Sequence, residues 1–195
     1  MSSALTLEPT RRRLSGRQAA TVDELIAAAG AELAAGGYEA LTVRRVARRA
    51  GVAPATAYTY FASKAHLVAE VFWRRLHARP DPPVDTAAPM AERVAAVLGD
   101  IAGLVAAEPR LAAACSSALL ADDPDVAVLR DRIGGDLHRR LRGAVGGEAD
   151  AGPLAGVLDL VLAGALLRAG MGHVAYDDLA GMLAGAARVV IGDRP

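Results

Sequence analysis

The residues of this chain whose types and spacing could do chemistry lie between positions 42 and 64, and they suit contacts with an anionic polymer. Four arginines stand close together at Arg44, Arg45, Arg48 and Arg49. Small or hydroxylated side chains follow at Ala55, Thr56, Tyr58, Thr59 and Tyr60. Cationic groups bind phosphates, whereas hydroxyl and methyl groups contact base edges in a DNA groove. The segment therefore indicates nucleic-acid recognition.

Two short helices are expected to position these side chains. The first has an apolar stripe at the spacing i, i+3, i+4, i+7, which turns the arginines outward: Val43, Val46, Ala47 and Ala50. Thr42 has the hydroxyl that an N-cap needs, and Gly51 can adopt the positive φ of a tight turn. Pro54 suits the first turn of the second helix, because a proline there gives up no hydrogen bond. The pattern predicts a helix-turn-helix.

The residues around this unit fit the same interpretation. In the second helix, Ala57 and Phe61 are four residues apart and are expected to point inward, with the hydroxylated positions outward. Ser63 is predicted to cap a further helix that begins at Lys64, the only lysine of the chain. An amphipathic helix is predicted upstream, ending at Gly36-Gly37-Tyr38, with its apolar face formed by Val22, Leu25, Ile26, Ala29 and Leu33.

This arrangement resembles the DNA-binding domain of the TetR family of bacterial transcriptional regulators. The segments TVRRVARRAGV at 42–52 and YTYFASKAHL at 58–67 match the family's patterns without a gap. The resemblance covers roughly the first third of the chain. It implies an all-α fold with an amino-terminal three-helix helix-turn-helix domain and a helical effector-binding and dimerisation domain.

The resemblance also implies roles for individual residues. The residues expected to hold the DNA backbone are Thr42, Arg44, Tyr58 and Lys64, with Arg45 on the same exposed face as Arg44. The residues expected to face the bases are Pro54, Ala55, Thr56, Thr59 and Tyr60. Ala53 stands where many relatives have a capping Ser or Thr, so one phosphate contact is expected to be missing. Base readout should use thymine methyl groups and hydroxyl hydrogen bonds, since the helix has no Arg, Asn or Gln.

Charge is segregated along the chain although the formal net charge is zero. Residues 1–79 hold 12 Lys and Arg against 6 Asp and Glu, a balance of +6, whereas residues 80–195 hold 10 against 16, a balance of −6. A basic amino-terminal part attracts phosphates. Residues 1–18, with Arg11, Arg12 and Arg13, are expected to form a flexible basic arm that either lies along DNA or is simply solvated.

Other functional classes have little support in the sequence. The four histidines, His66, His77, His138 and His173, lack metal-ligand spacing, and no phosphate-binding or dinucleotide motif is present. We therefore predict no catalytic site, no metal and no cofactor. The single Cys115 and the polar amino terminus fit a cytoplasmic protein. The apolar run 154–168 is shorter than the roughly 20 residues of a membrane span, so it is predicted to be a buried helix.

The proline-rich stretch 80–89 divides the chain. We predict a helix-turn-helix domain at 19–63, a connecting helix at 64–79 and a ligand-binding and dimerisation domain at 80–195. Later helices are expected at 90–107, 109–121, 125–145, 153–172 and 176–191. The final helix has an apolar face made of Leu179, Met182, Leu183, Ala186 and Val190. Such a surface needs a partner, and the resemblance implies that the last two helices pair with those of a second copy.

The family also has a pocket for a small effector, and its wall must be assigned from residue type alone. The predicted lining residues are Phe72, Trp73, Leu104, Cys115, Leu119, Leu137 and Leu166. Polar groups that could orient a ligand are Ser116, His138, Asp159 and Arg168. The many aliphatic residues favour an apolar effector of acyl, steroid or terpenoid type.

The expected function is that of a homodimeric regulator, a repressor in the first instance, that binds a pseudo-palindromic double-stranded operator and is released by this effector. The alternatives are a non-specific architectural DNA-binding protein and an all-α enzyme.

Overall fold

The computed structural model describes residues 16–147 and 151–192, and these residues form helices and loops without a strand. The α-helices in this part of the chain are α1 Gly16–Ala40, α2 Val43–Arg49, α3 Pro54–Tyr60, α4 Lys64–Ala78, α5 Met90–Ala107, α6 Pro109–Ala118, α7 Pro124–Val145, α8 Ala151–Gly170 and α9 Leu179–Ile191. A short 3-10 turn, Tyr176–Asp178, precedes α9. The predicted all-α class is confirmed.

The amino-terminal unit consists of α1, α2 and α3, and its helix ends follow the local signals in the sequence. The run Gly16–Ala40 is interrupted at Gly37, which has φ 70° and ψ −173°; this is a conformation that glycine adopts without a Cβ clash. Residues 16–18 belong to α1 and not to the predicted arm. Residues 1–15, which include the three arginines of that arm, lie outside the described residues.

Helix α4 belongs to both halves of the molecule. It packs against α1 of the amino-terminal unit and against α6 and α7 of the carboxy-terminal helices. Its inward side chains, which include Leu67, Val71 and Leu76, are almost completely buried. A displacement of α4 would therefore disturb both the amino-terminal unit and the carboxy-terminal helices, since tightly packed interiors transmit strain.

The carboxy-terminal helices form a bundle in which α5 packs against α9 and α7, while α8 packs against α6, α7 and α9. The run 154–168, predicted to be a buried helix, is buried on one face within a single chain. Leu154, Leu158 and Leu162 of α8 point into the bundle, but Val157 and Leu160 are exposed on the opposite face. Helix α8 is long and apolar enough to cross a membrane by length and composition. In the structure only one of its apolar faces is covered.

Candidate nucleic-acid interface and cavity

The turn between α2 and α3 has the geometry that the sequence predicted. Thr42 caps α2, its Oγ1 accepting a hydrogen bond from the backbone N–H of Arg45 at 3.2 Å. Gly51 has φ 70°. Helix α3 begins at Pro54, and Ala53 before it makes no side-chain capping bond. The absent hydroxyl at Ala53 leaves the start of α3 without the cap that a Ser or Thr would supply.

The four arginines of α2 fall into two pairs. Glu32 of α1, which is buried, accepts hydrogen bonds from Arg45 Nε at 3.0 Å and from Arg49 Nε at 2.7 Å. The hydrogen bond from Arg49 and the two positive charges hold the pKa of Glu32 below its ordinary value. Arg44 and Arg48 are exposed and make no ion pair with any residue that the structure describes. Arg44 and Arg48 thus keep their full charge toward solvent, whereas Arg45 shares its charge with Glu32.

The outward face of α3 differs from the prediction at one position. Pro54, Ala55 and Thr59 are exposed, and Tyr58 has 43% of its surface exposed, whereas Thr56 is half-buried. Tyr60 is only 8% exposed and lies in the core, so the expectation that it faces bases is wrong. Tyr60 follows buried Ala57 by three residues and therefore shares its helix face.

Thr59 and Tyr58 remain the hydroxyl groups that α3 presents at its exposed surface. Thr59 Oγ1 donates its proton to the carbonyl oxygen of Ala55 at 3.0 Å. In this rotamer the hydroxyl offers only its lone pairs to a partner, and it can accept a hydrogen bond from a base amino group.

The lysine at the start of α4 is held by a residue that sequence reasoning did not assign to the site. Ser63 caps α4 by accepting from the backbone N–H of His66 at 3.0 Å. Lys64 Nζ donates to the carbonyl oxygen of Tyr38 at 3.2 Å and lies 4.1 Å from the centroid of the Tyr38 ring. A ring face attracts a cation. Tyr38 therefore orients the ammonium group. Its position directly after Gly36-Gly37 is the sequence feature from which this role could have been predicted.

A cavity of about 600 Å³ lies among α4, α5, α6, α7 and α8. Five of the seven predicted residues line it, namely Phe72, Cys115, Leu119, Leu137 and Leu166. Trp73 and Leu104 are buried but do not line the cavity, and the Trp73 ring packs 5.0 Å from that of His77. The wall also includes Tyr176 of the 3-10 turn. Helical periodicity marks such residues as inward-facing but does not separate cavity walls from solid core.

The polar groups of the cavity are few. Ser116 and Asp159 line it, as does Arg130, which the sequence did not single out. Asp159 Oδ2 lies 2.5 Å from Nδ1 of His138, and His138 itself does not line the wall. Burial raises the pKa of the Cys115 thiol, so this side chain remains neutral. Arg168 is exposed on α8 and takes no part in the wall.

Within residues 16–147 and 151–192, no three His, Cys, Asp or Glu side chains come together in a group that could hold a metal ion.

The exposed apolar residues of α8 and α9 form one surface on each helix. On α8 they are Val157, Leu160 and Leu167, with Met171 just beyond the helix end, and on α9 they are Met182 and Val189. Their spacing of three, four or seven residues places them on one face of each helix. Leu183, which the sequence grouped with Met182, is only 1% exposed and packs inside the bundle. That grouping is wrong because α9 has two adjoining apolar faces. Leu183 lies on the buried face, whereas Met182 lies on the exposed one.

Comparisons with known proteins agree with this architecture. The family model described as bacterial regulatory proteins, tetR family, matches residues 25–71. An uncharacterised HTH-type transcriptional regulator of Mycobacterium tuberculosis (strain ATCC 25618 / H37Rv) is 47% identical over 169 residues, which are 86% of this chain and 78% of that protein. The HTH-type transcriptional repressor KstR of Rhodococcus jostii (strain RHA1) is 37% identical over 103 residues, 51% of this chain and 47% of KstR.

Solved structures share the fold. A TetR transcriptional regulator from Rhodococcus sp. RHA1 superimposes with a TM-score of 0.73 at 21% identity, over 93% of this chain and 100% of that one. The regulator FadR from Bacillus subtilis, solved in complex with stearoyl-CoA, gives 0.64 at 19% identity, over 87% and 97%. At these identities the likeness concerns the fold alone. The family model and the mycobacterial relative together place the chain in the tetR family of bacterial transcriptional regulators.

Proposed function

We propose that this regulator is a homodimeric repressor that binds a pseudo-palindromic operator in the bacterial cytoplasm and is released by a small apolar effector. The observation that carries the proposal is the course of α4, which begins at Lys64 beside the helix-turn-helix and has Phe72 in the cavity wall. Eight residues of helix span about 12 Å. One rigid element therefore touches both the DNA-binding unit and the cavity.

The DNA contacts are proposed on exposure and charge. Arg44, Lys64 and Tyr58 would hold phosphates, with Arg45 and Thr42 beside them, and Pro54, Ala55, Thr56 and Thr59 would meet base edges. Of these side chains only Thr56 and Lys64 are half-buried; the others are exposed. Two recognition helices in a symmetric dimer would enter successive major grooves about 34 to 36 Å apart.

The dimer is proposed on the uncovered apolar faces of α8 and α9. A second copy that covers these faces would form a four-helix interface around a two-fold axis, in which each surface meets its own copy. Gly164 of α8 and Gly185 of α9 are near these faces, and a Cβ at either would meet no described atom within 4 Å. Glycine at these positions lets two helix backbones approach closely.

The effector role is proposed on the cavity. Its volume of about 600 Å³ and its largely aliphatic wall suit an apolar molecule of drug-like size. A ligand that fits one placement of α4 better than another shifts the balance between DNA-binding and released forms. Tenfold weaker operator binding needs about 1.4 kcal/mol of coupling between the two sites, which is within the usual range.

The test compares operator binding with and without cavity ligands. Fluorescence anisotropy would measure affinity for a palindrome from the promoter beside the gene, and for scrambled DNA of equal length at equal salt. We expect tight binding to the palindrome alone and weakening by ligands that stabilise the protein thermally. Equal affinity for both DNAs would favour the alternative, a non-specific architectural DNA-binding protein.

A further inference from the structure

The cavity among α4, α5, α6, α7 and α8 has a buried floor and an exposed rim. The floor consists of apolar side chains that are almost inaccessible to solvent, among them Phe72, Ile101, Ala112, Cys115 and Leu162. The wall residues that remain exposed, and so form the rim, are Leu120, Arg130, Gly134, Ala163 and Leu167. A molecule in the cavity therefore meets mainly apolar groups at its inner end, and apolar groups together with a cation at its outer end.

Arg130 is fixed at this rim with an unpaired charge. Its Nε donates to the carbonyl oxygen of Leu119 at 2.7 Å, and its Nη2 donates to that of Ala121 at 2.9 Å. Its Nη1 makes no hydrogen bond to a described residue, and no carboxylate in the described part of the chain forms an ion pair with the guanidinium. Two neutral carbonyl groups leave the positive charge unbalanced. Because the guanidinium is already held in place, it loses little conformational entropy when it binds an anion.

The carboxylate of the cavity wall lies away from Arg130. Asp159 Oδ2 is 2.5 Å from Nδ1 of His138, which follows Arg130 by eight residues on α7. Eight residues of helix span about 12 Å. Solvent and salt screen two partly exposed charges at that separation. Asp159 therefore pairs with His138 and leaves the charge of Arg130 available to a ligand.

We infer that the cavity takes an amphiphile whose aliphatic part lies on the buried floor and whose anionic group binds the guanidinium of Arg130 at the rim. This inference rests on the proposed effector role of the same cavity and adds a charged group to the apolar molecule proposed there. A carboxylate or a phosphate fits, because a guanidinium forms charge-assisted hydrogen bonds with both. At the rim the anion keeps part of its hydration, so no isolated charge is buried.

The test compares probes of equal chain length at pH 8, where carboxylates are ionised and amines are protonated. The probes are decanoate, decyl phosphate, the neutral isostere decanamide and the cation decylammonium, each kept below the concentration at which it forms micelles. Isothermal titration of the wild-type protein should show at least one of the two anions binding more tightly than decanamide, and decylammonium binding most weakly. The comparison of the two anions distinguishes a carboxylate from a phosphate group.

Variants and salt identify the cation. Arg130→Gln should weaken the preferred anion about fivefold, the value of an ion pair at an exposed site, and leave decanamide unaffected. Arg130→Lys keeps the charge and should retain most of the affinity. Arg142→Gln is the matched control, because it removes an exposed arginine of the same helix that does not line the cavity, and it should change no affinity. In the wild-type protein, raising salt from about 0.05 M to about 0.5 M should weaken the anion but not decanamide.

NMR reports on the contact itself. The pKa of the bound anion, followed by ¹³C for decanoate or by ³¹P for decyl phosphate, should be lower in the wild-type complex than in Arg130→Gln, because a neighbouring cation favours the ionised form. Circular dichroism checks that each variant is folded. The inference is overturned if neither anion binds more tightly than decanamide, if Arg130→Gln and salt leave the anion affinity unchanged, or if no probe binds.

Operator affinity is measured in the same samples and separates the two proposals. An anion that binds through Arg130 but leaves operator affinity unchanged contradicts the effector role and leaves the ligand class standing. Operator release by decanamide that is equal in wild type and Arg130→Gln, and that neither anion exceeds, contradicts the ligand class and leaves the effector role standing.

Discussion

Ser63 Oγ donates a hydrogen bond to Asp123 Oδ2 at 2.7 Å, and this bond joins the N-caps of two helices that are 60 residues apart. Ser63 caps α4, which carries Lys64, and Asp123 caps α7, whose Ile133 and Leu137 line the cavity. Asp123 Oδ1 meanwhile accepts from the backbone N–H of Asp125 at 2.9 Å. A shift of α7 would thus act directly on the end of α4 nearest the proposed DNA surface.

The first prediction concerns the strength of this link. In a double-mutant cycle, Ser63→Ala and Asp123→Ala should show a coupling energy of about 1 kcal/mol, because each change removes its own cap but both remove the same hydrogen bond. Urea denaturation of the four proteins gives the value. Ser117→Ala, which removes an exposed hydroxyl bonded to Ala113 within α6, is the control. Strict additivity of Ser63→Ala and Asp123→Ala would mean that the bond contributes nothing.

The second prediction is the pH dependence of the same link. The hydrogen bond from Ser63 is the main cause that lowers the pKa of Asp123, and the backbone bonds from Asp125 and Val126 add to it. A carboxyl whose folded pKa is lowered adds stability above its unfolded pKa of about 4, and that stability is lost as pH falls through the folded pKa.

Ser63→Ala should therefore raise the pKa of Asp123, as NMR titration of its carboxyl carbon would detect. The difference in unfolding free energy between wild type and Ser63→Ala should be largest at pH 7 and shrink below about pH 4. A difference that stays constant from pH 7 into acid would contradict the assignment.

The third prediction contrasts an exposed leucine of α8 with a buried leucine of α9. Leu160 is 74% exposed on α8, whereas Leu183 is buried in the bundle. Leu160→Glu should yield a folded monomer, since the charge enters only the proposed dimer interface. Leu183→Glu should lower the free energy of unfolding by several kcal/mol, because a carboxylate would be buried without a partner. Sedimentation velocity and thermal melting distinguish these outcomes.

Leu120→Glu provides the control for the dimer experiment, because Leu120 is equally exposed but lies outside α8 and α9. It should leave the oligomeric state unchanged. A Leu160→Glu protein that sediments as a dimer would remove α8 from the interface.

The fourth prediction concerns the electrostatic contacts. Lys64→Ala should weaken binding to all DNA sequences alike and reduce the slope of log affinity against log salt by about one. Thr59→Ala should instead change base preference while leaving that slope alone. Arg142→Ala removes an exposed charge at the far end of α7 and serves as control. An unaltered salt slope in Lys64→Ala would contradict the prediction, because it would mean that Lys64 neutralises no phosphate in the complex.

The helix caps, the turn and several helix bounds of this protein could be predicted from its sequence. The N-caps at Thr42 and Ser63, the turn at Gly51 and the helix start at Pro54 were all predictable. Each depends on the φ preference or hydrogen-bonding capacity of one residue and its near neighbours. The helix predicted at 90–107 has those same bounds in the structure. The helix predicted at 109–121 ends earlier, at Ala118.

Only the tertiary structure decided which face of each helix is buried. Periodicity grouped Leu183 with Met182 and counted Tyr60 as outward, because it does not identify the helices that cover each face. The ion pairs of Glu32 with Arg45 and Arg49, and the cavity wall with Tyr176, bring together residues from separate elements. These contacts depend on how the helices pack against one another, and the spacing of residues within one segment does not predict them.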